Sequence, residues 1–108
     1  PERYAQWERV QDPDYRTLLQ YANRFDLPRE TVARAYDAKR QAELYRQALD
    51  ANPNLTDEQR AAAVRALVRE TEAELDRILG RKAGRNYRRS AGWLQALSEL
   101  PAPANANP

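Results

Sequence analysis

The sequence reads as an all-α protein, with four to five helices arranged around one long antiparallel helical hairpin. Ala, Glu, Arg, Leu and Gln, all good helix formers, dominate its 108 residues. β-branched residues are few, which leaves little material for strands. Two long unbroken stretches are separated by the turn "ANPN", and in the second of them apolar residues recur in steps of three and four.

A short first helix is expected over residues 2–10, "ERYAQWERV". "DPDYR" then restarts the chain, with Asp12 as N-cap and Pro13 at the first helical position, and this helix should run to about Arg24. In "FDLPRET", Pro28 suits a first-turn position and Glu30 suits the positive end of the helix dipole. The third helix is expected to continue to about Asp50. Its apolar residues do not keep to one stripe. Val32, Ala35 and Tyr36 face one way, Ala38, Ala42, Tyr45 and Leu49 drift around the axis, and Leu44 and Ala48 lie elsewhere. Such a helix touches more than one neighbour.

"NLTDEQR", residues 54–60, is helix-start chemistry. Thr56 as N-cap and Gln59 three residues on form a capping box, Asp57 and Glu58 complement the dipole, and Leu55 is placed to act as a hydrophobic staple. The helix that follows carries Ala61, Val64, Val68, Thr71, Leu75 and Ile78, widened by Leu67 and Leu79, so one apolar seam runs along it. Gly80 should end it at the left-handed C′ position. Being similar in length and joined by a short turn, these two helices should form the hairpin. A fifth helix is expected from Arg81 to about Leu100, with a break at Gly92. Residues 101–108, "PAPANANP", read as a Pro/Ala/Asn tail. Residues 1–100 therefore read as a single helical domain.

Composition excludes several functions. There is no Cys, so disulfides, thiol nucleophiles and thiolate metal sites are ruled out. There is no His, the commonest metal ligand and the usual acid–base group near neutral pH. With Ser90 and Ser98 as the only serines, no Ser–His–Asp arrangement can form. No glycine-rich phosphate loop is present, and no cofactor-binding motif. Glu70, Glu72, Glu74 and Asp76 alternate with other residues in the manner of a solvated, ion-paired helix face. The expectation is a protein that is not an enzyme, with no cofactor and no metal. The longest apolar run, residues 61–64, is far below the ~20 residues that span a bilayer.

The charge distribution is lopsided. Residues 77–92, "RILGRKAGRNYRRSAG", carry Arg77, Arg81, Lys82, Arg85, Arg88 and Arg89 and no acid. They hold six of the 18 basic residues, leaving 12 cations against 16 anions in the remainder. With Tyr87 among them, these residues are candidates to contact phosphates or a protein partner. The same segment could instead neutralise an acidic face of its own fold.

Three helix starts share a shape: "LPRET" at 27–31, "LTDEQ" at 55–59 and "LGRKA" at 79–83. "PERYAQWER" at 1–9 also echoes "RKAGRNYRR" at 81–89. One reading is that helix starts look alike. The other is that the chain is a piece of a longer protein built from recurring helical units, and its start in mid-motif without Met points that way.

"LTDEQRAAAVRALVRETEAELDRILG", 26 residues, resembles the LTxxQ helices of the Spy/CpxP family of periplasmic chaperones and stress-signalling proteins, on Leu55, Thr56 and Gln59. The resemblance implies helical hairpins that form cradle-shaped dimers and bind unfolded or partner proteins. The chain departs from the family at 79–83, where a second motif would lack both Thr and Gln, and in having no Met or His segments. More generally, the chain has the look of an uncharacterised bacterial helical protein.

Together these readings point to a non-enzymatic helical protein-interaction module, with a protein partner (self or other) and an envelope compartment such as the periplasm. The alternative is a nucleic-acid-binding accessory protein acting through 77–92.

Overall fold

The computed structural model describes residues 12–100, which form five helices; among them there is no strand. The helix expected over 2–10 and the tail at 101–108 lie outside the described residues.

Helix α1, Pro13–Phe25, starts as its sequence requires. Asp12 is extended and its carboxylate accepts the Asp14 N–H at 2.8 Å, while Pro13 occupies a position that needs no N–H. Asp26 ends the helix in the left-handed region (φ 57°, ψ 49°), a conformation that Asp tolerates better than bulkier residues. Helix α2, Arg29–Ala51, has Pro28 as its N-cap rather than inside its first turn. At 23 residues it is ~34 Å long. Helix α3, Asp57–Leu79, is the same length and opens on the complete capping box: Thr56 Oγ accepts from the Gln59 N–H at 3.0 Å, and the Gln59 side chain accepts from the Thr56 N–H at 2.9 Å. Leu55 is half-buried.

The α2–α3 turn is clamped by Arg60. Its Nε donates to the Leu49 carbonyl at 3.0 Å and one terminal nitrogen to the Asn52 carbonyl at 2.9 Å. Those carbonyls belong to the end of α2, where intrahelical partners run out.

Two expectations are corrected at the C-terminal end. Gly80 does stop α3, but not as a left-handed C′ residue. At φ 88° and ψ 157° it lies in a region that essentially only glycine occupies. Its N–H bonds the Asp76 carbonyl at 2.9 Å, and its own carbonyl accepts the Gly84 N–H at 2.8 Å. One residue thus closes α3 and opens helix α4, Arg81–Ser90. The break expected at Gly92 falls instead at Ala91 (ψ 99°), and Gly92 begins helix α5, Gly92–Ser98. Ala91 is buried, so packing rather than glycine flexibility places this bend.

Helices α2 and α3 pack along each other as the expected hairpin. Helix α1 lies against α2, α4 against α3, and α5 against both. The core between these elements is built from Leu18 and Ala22 of α1, Val32, Ala35 and Tyr36 of α2, Leu75 and Leu79 of α3, Ala83 and Tyr87 of α4, and Trp93, Leu94 and Leu97 of α5. Each fully buried Leu or Val contributes about 1.5–3 kcal/mol. Tyr87 sits at the centre, edge-on to Tyr21 (5.4 Å) and tilted against Trp93 (6.5 Å).

Candidate functional site

The hairpin has a second face that borders this core: Ala42 belongs to the core, and Ala38, Leu67 and Ile78 pack against it. Along it α2 and α3 enclose an open groove of about 990 Å³, lined from these two helices only. Ala38 and Ala42 of α2 and Ala63, Ala66, Leu67 and Ile78 of α3 supply its apolar surface. The alanines keep this surface low, so a third helix could approach closely. The rim is charged and of both signs, with Arg34 and Asp37 on one side and Glu70, Glu74 and Arg77 on the other. Tyr45 lines the groove with 56% of its surface exposed, and its neighbour Leu44 is 55% exposed. Among the described residues these are two of the three exposed large apolar side chains, the third being Leu100.

This groove accounts for part of the untidy pattern of α2: Ala38, Ala42 and Tyr45 line it, whereas Leu44 and Ala48 do not. Val32, Ala35, Tyr36 and Leu49 are buried, whereas Tyr45 and Leu44 are not. Sequence reasoning found that α2 must meet more than one neighbour, but it did not find the groove. The signal available for it was the alanine spacing at 38 and 42 on one helix and 63 and 66 on the other.

The basic segment is divided by the fold. Arg77 pairs with Glu74 one turn back, its Nε 3.1 Å from the carboxylate, and belongs to the groove rim. Arg88 reaches α3, donating from Nε to Asp76 at 3.0 Å and from a terminal nitrogen to Glu72 at 3.4 Å. Tyr87 is 1% exposed and cannot meet a ligand at the surface; this overturns its place among the candidate contacts. Burial also pushes its hydroxyl pKa up to about 12, against a smaller opposing effect of the Trp93 N–H that donates to it. Arg81, Lys82, Arg85 and Arg89 remain exposed, with no salt bridge or hydrogen bond to any described side chain. The six basic residues therefore do not share one surface; four of them do.

The expected LTxxQ-like residues are a helix cap. Thr56 and Gln59 spend their side chains on each other's backbone and are exposed.

A third cluster surrounds Lys39, which is 6% exposed. Its ammonium lies 3.1 Å from Glu43, 3.3 Å from Asp14 and 3.6 Å from Asp12. Tyr36 donates its hydroxyl to Asp12 at 2.7 Å. Desolvation pushes Asp12 up, but the Tyr36 and Asp14 hydrogen bonds and the Lys39 charge outweigh it and hold the carboxyl below its usual range. Desolvation likewise pushes Lys39 down, and its three carboxylates reverse the direction. The Tyr36 hydroxyl is raised by burial and by Asp12. All of these groups are mutually satisfied, so the cluster fastens the start of α1 to the middle of α2.

Among the described residues no group of three or more acidic, His or Cys side chains is arranged to hold a metal ion. No described helix is long and apolar enough to cross a membrane. No family model matches the chain, and no curated protein and no solved structure matches it.

Proposed function

We propose that this chain is a non-enzymatic protein-interaction module whose hairpin receives an amphipathic helix of a partner protein on its outer face. The observation that carries the reading is the open α2–α3 groove of about 990 Å³, with its low alanine surface and the exposed Tyr45 at its edge. Helix-in-groove recognition needs an apolar trough for one stripe of side chains and a polar rim to set register. The trough is supplied by Ala38, Ala42, Ala63, Ala66, Leu67 and Ile78, and the rim by Arg34, Asp37, Glu70, Glu74 and Arg77. Tyr suits such a place because it brings apolar area at low entropic cost together with a polar tip. A fitting partner helix carries small or aliphatic residues at helical spacing, flanked by charges of both signs. The LTxxQ-like start of α3 supports the same reading, and on that resemblance alone we include an envelope compartment in the proposal.

The test is a selection, against the whole chain, of displayed helices of about 20 residues, ~30 Å long, with a randomised apolar stripe. Selected helices should lose about 10-fold or more in affinity, about 1.4 kcal/mol, on Ala66→Arg. The variant's circular dichroism should match the wild type, since Ala66 is only half-buried. Helices that bind Ala66→Arg and Ala38→Glu as well as wild type would remove the groove as the docking face. Sedimentation equilibrium of the chain alone covers the case in which a second copy supplies the helix: the mass would double, and return to that of a monomer in Ala66→Arg.

A further inference from the structure

A separate surface is the outward side of α4. At ~100° per residue, Arg81, Arg85, Arg89 and Lys82 fall within an arc of ~100°. Ala83, Gly84 and Tyr87, which are buried, lie on the opposite side. The four cations are exposed and unpaired, whereas Arg77 and Arg88 from the same segment are held by Glu74, Asp76 and Glu72. The contrast follows from the sequence. Between Asp76 and Glu99 there is no acid, so no residue of α4 or α5 can neutralise this side. Elsewhere several cations find carboxylates: Lys39 has three, Arg46 has Asp50, and Arg60 has Asp57. Arg24, Arg29, Arg34, Arg65 and Arg69 have no ion pair among the described residues, but they are spread over three helices rather than gathered on one. A field of one sign concentrated on one short helix attracts polyanions.

We propose that Arg81, Lys82, Arg85 and Arg89 form a binding face for the phosphodiester backbone of nucleic acid, without base recognition. Arg81 and Arg89 are eight residues apart, ~12 Å along the axis, a length over which one strand of a duplex presents about four phosphates at ~3.4 Å each. Four cations therefore meet about four charges. The aromatic ring that would stack on bases is absent from the face, because Tyr87 is in the core. Contacts made only to phosphate carry no sequence information. A bilayer surface fits less well. Helices that lie on membranes insert an apolar side, and the apolar side of α4 is committed to the protein interior. The face is separate from the hairpin groove, and each can fail without the other.

Fluorescence anisotropy with a short DNA duplex of random sequence tests the proposal. Four neutralised phosphates give a slope of log affinity on log salt of about −3.6, so raising salt from about 50 to about 200 mM should weaken binding on the order of 100-fold. A single strand should give a shallower slope, about −2.8. Arg85→Gln/Arg89→Gln should bring the duplex slope to about −1.8. The control Arg65→Gln/Arg69→Gln removes the same charge from exposed positions on α3 and should leave the slope near the wild-type value. All four side chains are exposed, so both variants should keep the wild-type circular dichroism. The proposal is overturned by an absence of saturable binding at about 50 mM salt, or by equal losses in the two variants, which would indicate net charge alone. Tighter binding to poly-glutamate or to vesicles of anionic phospholipid than to either oligonucleotide would overturn it as well.

Discussion

The Trp93 indole N–H donates to the Tyr87 hydroxyl at 2.7 Å, across the bend at Ala91. Both side chains are buried, so this bond ties α5 to α4 where no water competes. Trp93→Phe leaves the hydroxyl without its donor, and Tyr87→Phe leaves the indole N–H without its acceptor. Each should cost about 1–3 kcal/mol for the orphaned group, with a further loss for the smaller ring at position 93. The double variant should cost less than the sum of the singles, since neither group is then left behind. Urea denaturation of the four proteins measures the coupling, and strict additivity would show that the bond contributes nothing of its own.

The Tyr87 pKa of about 12 predicts a loss of stability in alkali. The folded protein keeps this hydroxyl protonated above the pH at which the unfolded chain, near 10, begins to release the proton. The native state then binds more protons, so its advantage is full below about pH 10 and disappears as pH rises towards 12, at about 1.4 kcal/mol per unit. Tyr36 is displaced in the same direction and adds to the slope. Denaturation midpoints measured from pH 9 upwards should fall less steeply in Tyr87→Phe.

Gly84 is needed for the approach of α4 to α3. A β-carbon placed on it would come within 2.5 Å of the Asp76 carboxylate and 3.1 Å of the Asp76 Cα. The carboxylate cannot swing aside freely, because Arg88 holds it at 3.0 Å. Gly84→Ala gains about 1 kcal/mol in helix propensity but incurs an overpacking cost of about 1–3 kcal/mol. Thermal melts should show net destabilisation; adding Asp76→Ala should relieve only the clash with the carboxylate, because the contact with the Asp76 Cα remains whatever side chain stands there.

Thr56→Ala removes one half of the capping box and should cost about 1 kcal/mol. Gln59→Ala removes the reciprocal half and should cost less. If the role of both residues is confined to the cap, Thr56→Asp should keep nearly full stability, since Asp caps as well as Thr. A helix selected on the groove should bind all three variants equally.

Lys39→Met keeps the aliphatic stem but leaves Asp12, Asp14 and Glu43 without their shared cation. Those carboxylates are partly exposed, so the expected cost is about 1–3 kcal/mol, below that of breaking a fully buried pair. Asp12 is held below its ordinary pKa of 3.8, so its contribution is present above that pH and lost as pH falls through the lowered value. Acid unfolding of Lys39→Met should therefore show a weaker dependence on pH than the wild type does.

Much of the fold was legible because its elements are coded locally. Asp12 with Pro13, the Thr56 and Gln59 pair, and Gly80 each mark a helix end through bonds to residues a few positions away. The steps of three and four in residues 61–79 placed Val64, Thr71, Leu75 and Leu79 on the buried side of α3 correctly. Two ends were misread. Pro28 lies one residue outside its helix. The bend expected at Gly92 occurs at the buried Ala91, where packing sets it.

The sequence by itself determined the all-α class, the hairpin and the concentration of unopposed charge in residues 77–92, because helix propensity, caps, apolar periodicity and formal charge depend on near neighbours. Arg77 is met by Glu74 one turn back on its own helix, but which of the other charges remain available was decided only by the tertiary structure. Arg88 meets Glu72 and Asp76 because α4 turns back onto α3 at Gly80, and Tyr87 becomes a core residue because α1 and α5 close over it. The groove has the same origin: Ala38, Ala42, Ala63 and Ala66 are unremarkable on their own helices and make a surface only when the two helices lie side by side. Charge neutralisation and shape both depend on residues distant in sequence, and local pattern carries no record of those distances.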